Sequence, residues 1–219
     1  MRDFLFFDLD GVLLDSMPYH ARAWILAFRE FGLEFTEEEI YLHEGAIELE
    51  TARTLFLDKG INPTPTFFER AFRLQKRIFK ENFADQIKPF PEVPELLEEL
   101  KRQGKTLALV TSSSEEILRE VFPQSLKEFF NIVITGDKVE KRKPHPDPYL
   151  KAKELLKAPK ERISVIENAP AGVLSAKRAG LFCIAITTTL KPEHLFQADL
   201  IARDHQELKA LLINGEGTL

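Results

Sequence analysis

The chain has 219 residues, of which 44% are hydrophobic and 30% are charged, a composition that can form a sizeable core beneath a charged surface. Its net charge of −5 and its isoelectric point near 5.7 argue against nucleic acid or an anionic membrane as a partner. The N-terminus lacks a signal-peptide pattern, and no apolar stretch approaches the length of a membrane span. We therefore expect a cytoplasmic protein that is a monomer or a weak homodimer.

The first predicted element is a strand at residues 4–7, a continuous apolar run that is too short for a helix and is typical of a buried parallel strand. Asp8 and Asp10 follow it, and because side chains alternate along a strand, both carboxylates project to the same side. Two such carboxylates repel each other unless a cation lies between them or one keeps a proton. The pattern indicates phosphoryl transfer with Mg²⁺ and an attacking Asp; the alternative is that both residues only cap a turn.

Residues 16–88 show helical patterns and no strand pattern. The predicted helices are residues 16–31 with Ser16 as N-cap, a short helix opened by a Thr36–Glu39 capping box, residues 49–59, and a helix from Thr66 to about Asn82. An all-helical block directly after one strand is typical of an insertion. We predict a small helical cap domain over residues 16–88 and a core domain formed by residues 1–15 and 89–219.

From residue 89 onward the chain alternates between strand and helix patterns. The predicted strands are residues 106–110, 132–135, 163–166 and 182–186, and the predicted helices are residues 92–103, a helix opened by Ser113, residues 147–156 and a helix with Pro170 in its first turn. Such alternation predicts an α/β fold with a doubly wound, Rossmann-like parallel sheet. Ligands in this architecture bind at the carboxyl ends of the strands.

Polar residues follow three of these strands. Thr111 and Ser112 precede a helix, where hydroxyls and backbone N–H groups suit a phosphate oxygen, although a serine-rich stretch there is also an ordinary N-cap. Lys143 could neutralise a phosphate and the aspartates, or belong to a solvated basic run. Glu167 and Asn168 are oxygen ligands that a hard cation accepts, or a helix N-cap. Together with the aspartates, these signals indicate one site at the strand ends.

The stretches FDLDGVLLDS and VIENAPAGVLSAKRAGL resemble the phosphatase branch of the haloacid dehalogenase (HAD) superfamily, and the resemblance covers essentially the whole chain. It implies that Asp8 is the nucleophile and Asp10 the general acid/base. It implies further a set of ligands for the phosphoryl group, Thr111, Ser112 and Lys143, and a set for Mg²⁺, Asp8, Asp10, Glu167 and Asn168. Many relatives have Asp where this chain has Asn168, so the cation site here is one charge poorer.

The predicted cap carries three further candidate residues. DSMPYHARAW resembles the β-phosphoglucomutase-like subgroup, and its His20 could hydrogen-bond Asp10 or the substrate, or be an ordinary cap residue. Lys76 faces either the site or, as the commoner case, the solvent. Glu44 lies in His43-Glu44-Gly45, which together with ENAP is similar to a pyrophosphate-cleaving HAD subgroup. Glu44 would then complete the metal site from the cap; the alternative is a solvated loop residue.

These observations predict an Mg²⁺-dependent phosphohydrolase that acts through an aspartyl-phosphate on a small phosphorylated metabolite, with inorganic pyrophosphate as a candidate. The main alternative is a β-phosphoglucomutase, which the resemblance also implies. The phosphate-binding Arg of the mutases has no counterpart directly after Gly45, where the residues are Ala46, Ile47 and Glu48. A non-enzymatic phospho-receiver is disfavoured because receivers are much shorter and do not place the phosphorylated Asp on the first strand.

Overall fold

The structure is a computed structural model that describes residues 2–43, 53–57 and 59–214. Its strands are β1 (Phe4–Phe7), β2 (Thr106–Val110), β3 (Ile132–Ile134), β4 (Ile163–Glu167), β5 (Phe182–Ile186) and β6 (Leu200–Ala202). They form one sheet in the order β3-β2-β1-β4-β5-β6, and each neighbouring pair is parallel. The predicted doubly wound, Rossmann-like α/β fold is confirmed.

Helices flank this sheet, and the segment of the chain between β1 and β2 is also mainly helical. The helices between those two strands are α1 (Met17–Arg29), α2 (Glu37–Tyr41), α3 (Arg53–Leu57) and α4 (Pro65–Asn82). The later helices are α5 (Val93–Arg102), α6 (Glu115–Val121), α7 (Gln124–Lys127), α8 (Asp147–Leu155), α9 (Pro170–Arg178) and α10 (His205–Asn214). Within the described part of the chain, no helix has both the length and the apolar character needed to cross a membrane.

Both faces of the sheet are buried, as a parallel sheet requires. On β1, Leu5 and Phe7 point into a cluster with residues of α5, α6 and α10, whereas Phe6 points into a cluster on the other face with Tyr149 of α8 and Val173 of α9. The alternation along β1 therefore places helices on both sides of the strand that leads to Asp8.

The helices that follow β1 have a separate aromatic core. Trp24, Phe28, Phe56 and Phe68 are buried together, and the ring centroids of Trp24 and Phe28 lie 5.1 Å apart. Burial of each large apolar side chain contributes about 1.5–3 kcal/mol, so this cluster can hold α1 and α4 together independently of the sheet.

Two predicted helix starts differ from the structure, and a third agrees in position but lacks a capping hydrogen bond. The N-cap residue of α4 is Thr64 and not Thr66. The Thr64 hydroxyl accepts the N–H of Phe67, and Pro65 occupies the first helical turn. The cap of α6 is Ser114 and not Ser113. Ser16 precedes α1 without a capping hydrogen bond from its side chain. Ser16 and Ser113 instead donate their hydroxyls to Asp10, a long-range contact that local sequence patterns do not reveal.

Other boundaries agree within a few residues. The Thr36–Glu39 capping box is present at α2. Of the helix predicted for residues 49–59, the structure shows α3, and residues 49–52 and 58 lie outside the described residues. The elements β6, α7 and α10 were not predicted from the sequence. β6 is a three-residue edge strand, which is too short to produce a recognisable apolar run.

Candidate active site

The candidate site lies at the carboxyl end of the sheet, where β1 is flanked by β2 and β4. Phe7 pairs with Leu109 on one side and with Ile166 on the other, so Asp8 is level with Val110 and with Glu167, the last residue of β4. This is the point at which the strand order reverses, and where ligands bind in doubly wound sheets. A cavity of about 190 Å³ opens here between the strand ends and helices α1 and α4.

Lys143 connects the ends of the three central strands. Its buried ammonium group donates to Asp8 Oδ1 at 2.5 Å, to Glu167 Oε1 at 2.7 Å and to the carbonyl oxygen of Val110 at 2.9 Å. Tyr149 donates to the same Glu167 oxygen at 2.5 Å, and Glu167 Oε2 accepts the N–H of Asn168. The Glu167 carboxylate is therefore fully engaged, whereas no hydrogen bond to Asp8 Oδ2 occurs among the described residues.

Asp10 has a different set of partners. Ser16 and His20 lie 2.7 Å and 3.1 Å from its Oδ1, and Ser113 donates to its Oδ2 at 3.0 Å. Two of these partners come from the start of α1, and the third comes from the loop after β2. The carboxylate of Asp10 thus links the start of α1 to the loop after β2.

The two aspartates differ in their pKa shifts. Burial raises the pKa of Asp8 to about 8, assisted by the charges of Glu167 and Asp10 and opposed by Lys143. Burial also acts to raise the pKa of Asp10, but the charge of His20 and the hydrogen bonds from His20, Ser16 and Ser113 outweigh it, so this pKa is lowered. The pKa of Lys143 is raised because its two carboxylate partners outweigh the effect of its burial. Negative charge at Asp8 is therefore only partly compensated.

The loop after β2 provides the hydroxyls of the site. Ser112 and Ser113 line the cavity, and the buried Ser112 Oγ has no hydrogen-bond partner within the described residues. Thr111 lies behind them: its Oγ1 accepts the N–H of Ser113 at 3.0 Å, and its side chain is not part of the cavity wall. Of the predicted phosphate ligands, Ser112 and Lys143 thus face the cavity, and Thr111 supports the loop.

Two glycines leave room for the side chains of Glu167 and Asn168. A Cβ at Gly172 in α9 would lie 2.0 Å from the Glu167 carboxylate, and a Cβ at Gly11 would lie 2.0 Å from Asn168 Nδ2. Gly11 also has a φ of +78°, which side-chain-bearing residues rarely adopt. Both positions therefore require glycine if Glu167 and Asn168 are to stay where they are.

The donor set fits a hard divalent cation of the Mg²⁺ type. The buried carboxylates of Asp8 and Glu167 share one buried lysine, Lys143, so positive charge is in deficit there, and the partly buried Asp10 adds a third carboxylate to the site. No group of three His, Cys, Asp or Glu side chains arranged as a metal cage occurs in the described ranges. Mg²⁺ does not need such a cage, because it commonly binds through one or two carboxylates and completes its shell with water and phosphate oxygens. Asn168 Nδ2 donates to Thr189, which leaves the amide oxygen as a further ligand.

The wall of the cavity that α1 and α4 form is mainly aromatic. His20 stacks on Phe79 with ring centroids 4.1 Å apart, and Trp24, Phe72 and Gln75 complete this wall. Lys76 reaches the edge of the cavity, but its ammonium group lies 2.6 Å from Glu116 of α6. Its charge is therefore engaged in an ion pair between α4 and the core.

The structure brings together most of the residues predicted from the sequence. Asp8, Asp10, Ser112, Lys143, Glu167, Asn168, His20 and Lys76 line one cavity. Glu44 lies outside the described residues.

Sequence reasoning missed the roles of Ser16, Ser113 and Tyr149 in binding the acidic side chains, and it missed Gln75. The last of these had a visible signal, because Gln75 is an amide in the buried stripe of α4 formed by Phe68, Ala71 and Phe79.

Comparisons with known proteins agree with this geometry. The model of the family "Haloacid dehalogenase-like hydrolase" matches residues 5–186. The chain is 33% identical to the Phosphorylated carbohydrates phosphatase of Thermotoga maritima over 80% of each chain, and 27% identical to Pyrophosphatase PpaX of Oceanobacillus iheyensis over 93% of this chain and 94% of the relative. The crystal structure of CbbY from Rhodobacter sphaeroides in complex with phosphate superposes with a TM-score of 0.73 at 29% identity, covering 95% of this chain and 96% of that one.

The family match spans all the strand ends that form the site, from Asp8 after β1 to Glu167 at the end of β4. The chain therefore belongs to the haloacid dehalogenase-like hydrolases, and it is an enzyme of that family.

Proposed function

We propose that this enzyme is an Mg²⁺-dependent phosphatase that hydrolyses a small phosphorylated organic compound through a phosphorylated Asp8. The observation that carries the proposal is the position of Asp8 in the cavity, with one oxygen bound to Lys143 and the other without a hydrogen-bond partner among the described residues. An oxygen in that state can approach a phosphorus atom, while the lysine orients the carboxylate.

The proposed reaction has two balanced steps. In the first, Asp8 Oδ2 attacks phosphorus, the bond from phosphorus to the substrate oxygen breaks, and Asp10 gives that oxygen a proton. In the second, water attacks the aspartyl-phosphate, Asp10 takes a proton from the water, and Asp8 and inorganic phosphate are released. Because His20, Ser16 and Ser113 lower the pKa of Asp10 in the present arrangement, these hydrogen bonds must rearrange before Asp10 can donate a proton.

The phosphoryl group would be held from two sides. Lys143 would bind it with its ammonium group, and Ser112 would donate its otherwise unpartnered hydroxyl. Asp8 and Asn168 would hold Mg²⁺, with Asp10 and Glu167 close by; the ion would offset the negative charge of the phosphoryl group and of the carboxylates. Residues 16–88 would act as a cap domain that excludes water from the cavity.

The nature of the cavity wall favours an organic substrate over inorganic pyrophosphate. Trp24, Phe72 and Phe79 offer apolar surface that the carbon skeleton of an organic phosphate can cover. Similarity to a phosphatase of phosphorylated carbohydrates supports the same choice. Pyrophosphate is the second candidate, because the chain is also similar to Pyrophosphatase PpaX along nearly its full length.

A substrate panel tests the proposal. Phosphate release should be measured with Mg²⁺ on sugar and polyol monophosphates, phosphoglycolate, pyrophosphate and β-glucose 1-phosphate. We expect turnover of organic monophosphates, its loss in Asp8→Asn, and a decrease of about 10²–10⁴-fold in Asp10→Asn. Conversion of β-glucose 1-phosphate to the 6-phosphate without phosphate release would identify a mutase instead.

A further inference from the structure

One polar side chain lies in the wall that α1 and α4 form around the cavity. Gln75 lies in α4 and is only 7% exposed, and it lines the same cavity as Asp8 and Asp10. Within the described residues, its amide group has no hydrogen-bond partner. The amide atoms are not among the fully buried polar atoms that lack a partner, so the amide lies on the cavity wall, where water or a bound ligand can reach it.

The position of Gln75 in α4 indicates a role beyond packing. The buried residues of this helix are Phe68, Ala71, Gln75 and Phe79, a stripe with the spacing of one helical face. A residue that served only for packing at this position would be apolar, as its three neighbours in the stripe are. The amide is therefore available to a polar group that occupies the cavity.

The two lysines of α4 are engaged in ion pairs. Lys76 lies 2.6 Å from Glu116, and Lys80 lies 3.2 Å from Glu116 and 2.5 Å from Glu120. Both lysines are thus paired with carboxylates of α6. Besides the paired Lys76, α4 presents to the cavity a neutral amide that can both donate and accept, together with the aromatic residues Phe72 and Phe79.

We propose that Gln75 is a specificity-determining residue that binds a hydroxyl group of the substrate's leaving portion, and that the enzyme thereby selects hydroxylated monophosphates over unhydroxylated ones. This inference rests on the proposed phosphatase function and adds to it the part of the substrate that is recognised. An amide suits a hydroxyl because each can donate one hydrogen bond to the other and accept one in return. A second phosphate at this position would instead require a free cation.

The test uses two substrates that differ only in their hydroxyl groups, glycerol 1-phosphate and propyl phosphate, and the nearly isosteric variant Gln75→Met. For the wild type we expect a higher kcat/KM with glycerol 1-phosphate. In Gln75→Met, kcat/KM for glycerol 1-phosphate should fall about tenfold, mostly through KM, while that for propyl phosphate should stay within about twofold. Gln124→Met, at an exposed position on α7, is the matched control and should leave both values unchanged.

The thermal midpoint of the same variants separates recognition from structure. If Gln75 binds substrate, Gln75→Met should be at least as stable as the wild type, because the amide makes no hydrogen bond within the described residues and Met is apolar like its neighbours Phe68, Ala71 and Phe79 in the stripe. A lower midpoint, or a preference for glycerol 1-phosphate that persists in Gln75→Met, would overturn the inference and leave the phosphatase proposal standing. Absence of phosphate release from both substrates and from the wider panel would overturn the phosphatase proposal itself.

Discussion

The ammonium group of Lys143 lies 2.5 Å from Asp8 Oδ1, and both side chains are buried. Lys143 also donates to Glu167, so one cation serves two carboxylates. This arrangement gives the lysine two separate tasks: it stabilises the fold by pairing buried acids, and it positions the group that we propose as nucleophile. The two tasks can be distinguished by substitution.

Lys143→Met should lower the free energy of unfolding by about 3–5 kcal/mol, because it leaves buried carboxylates without their cation. The double variant Asp8→Asn with Lys143→Met should recover part of this loss, since one of the two charges is then gone. Urea denaturation measures both quantities, and Lys141→Met, at an exposed position two residues earlier, is the control. Equal stability of the single and double variants would show that Lys143 and Asp8 are not coupled.

Residues in the segments that follow strand ends could be assigned to one edge of the sheet from the sequence, and those brought in by tertiary packing could not. Asp8, Lys143 and Glu167 could be assigned to one edge because parallel strands end together. Ser113 was expected to cap a helix, a local role, but its hydroxyl bonds Asp10, which is 103 positions away. Tyr149 is a buried aromatic residue of an amphipathic helix, and its sequence context does not distinguish a hydroxyl that bonds Glu167 from ordinary packing.

The same distinction holds for the fold. Strands with long apolar runs, such as β2 and β5, have the predicted bounds, because burial on both faces leaves a continuous pattern. β6 has three residues at the sheet edge and depends on pairing with β5, which no local pattern encodes.

Asn168→Asp tests the metal proposal. The change adds a negative charge to a site that is proposed to bind Mg²⁺ with one charge fewer than is common among its relatives. We expect the Mg²⁺ concentration for half-maximal activity to fall, and isothermal titration calorimetry without substrate should show tighter binding of the ion. Asn82→Asp, which adds the same charge at an exposed position on α4, should change neither value. The wild type should lose activity in EDTA and regain it with Mg²⁺; full activity in metal-free buffer would exclude the proposal.

Gly172→Ala should destabilise the protein although Gly→Ala inside a helix usually stabilises it by about 1 kcal/mol. The reason is that the new Cβ would lie 2.0 Å from the Glu167 carboxylate, which would have to move away from Lys143 and Tyr149. Chemical denaturation of Gly172→Ala alone and together with Glu167→Ala measures the effect. In the Glu167→Ala background the clash is absent, so the added alanine should be neutral or stabilising. Destabilisation of equal size in both backgrounds would place its cause elsewhere in α9.

The last prediction concerns the ion pairs between α4 and α6. Lys80 lies 2.5 Å from Glu120, and Lys76 lies 2.6 Å from Glu116, so four charges join the proposed cap to the core at the edge of the cavity. These side chains are 30–55% exposed, and such pairs contribute about 0–1 kcal/mol each, an amount that alters how readily the cap opens without altering the fold. Reversal of one charge in Glu120→Lys should therefore raise KM by about two- to fivefold at low ionic strength, because like charges then oppose each other across the two helices.

The compensating change Lys80→Glu, made together with Glu120→Lys, should restore KM part of the way towards the wild-type value, since positions 80 and 120 then have opposite charges again while the new glutamate also faces Glu116. Salt provides an independent check: at about 1 M NaCl the Debye length falls to about 3 Å, and the wild type and both variants should converge. Circular dichroism of each variant verifies that the fold is retained. A KM that is unchanged by Glu120→Lys at low salt, or raised equally in the double variant, would mean that these ion pairs do not hold the cap against the core.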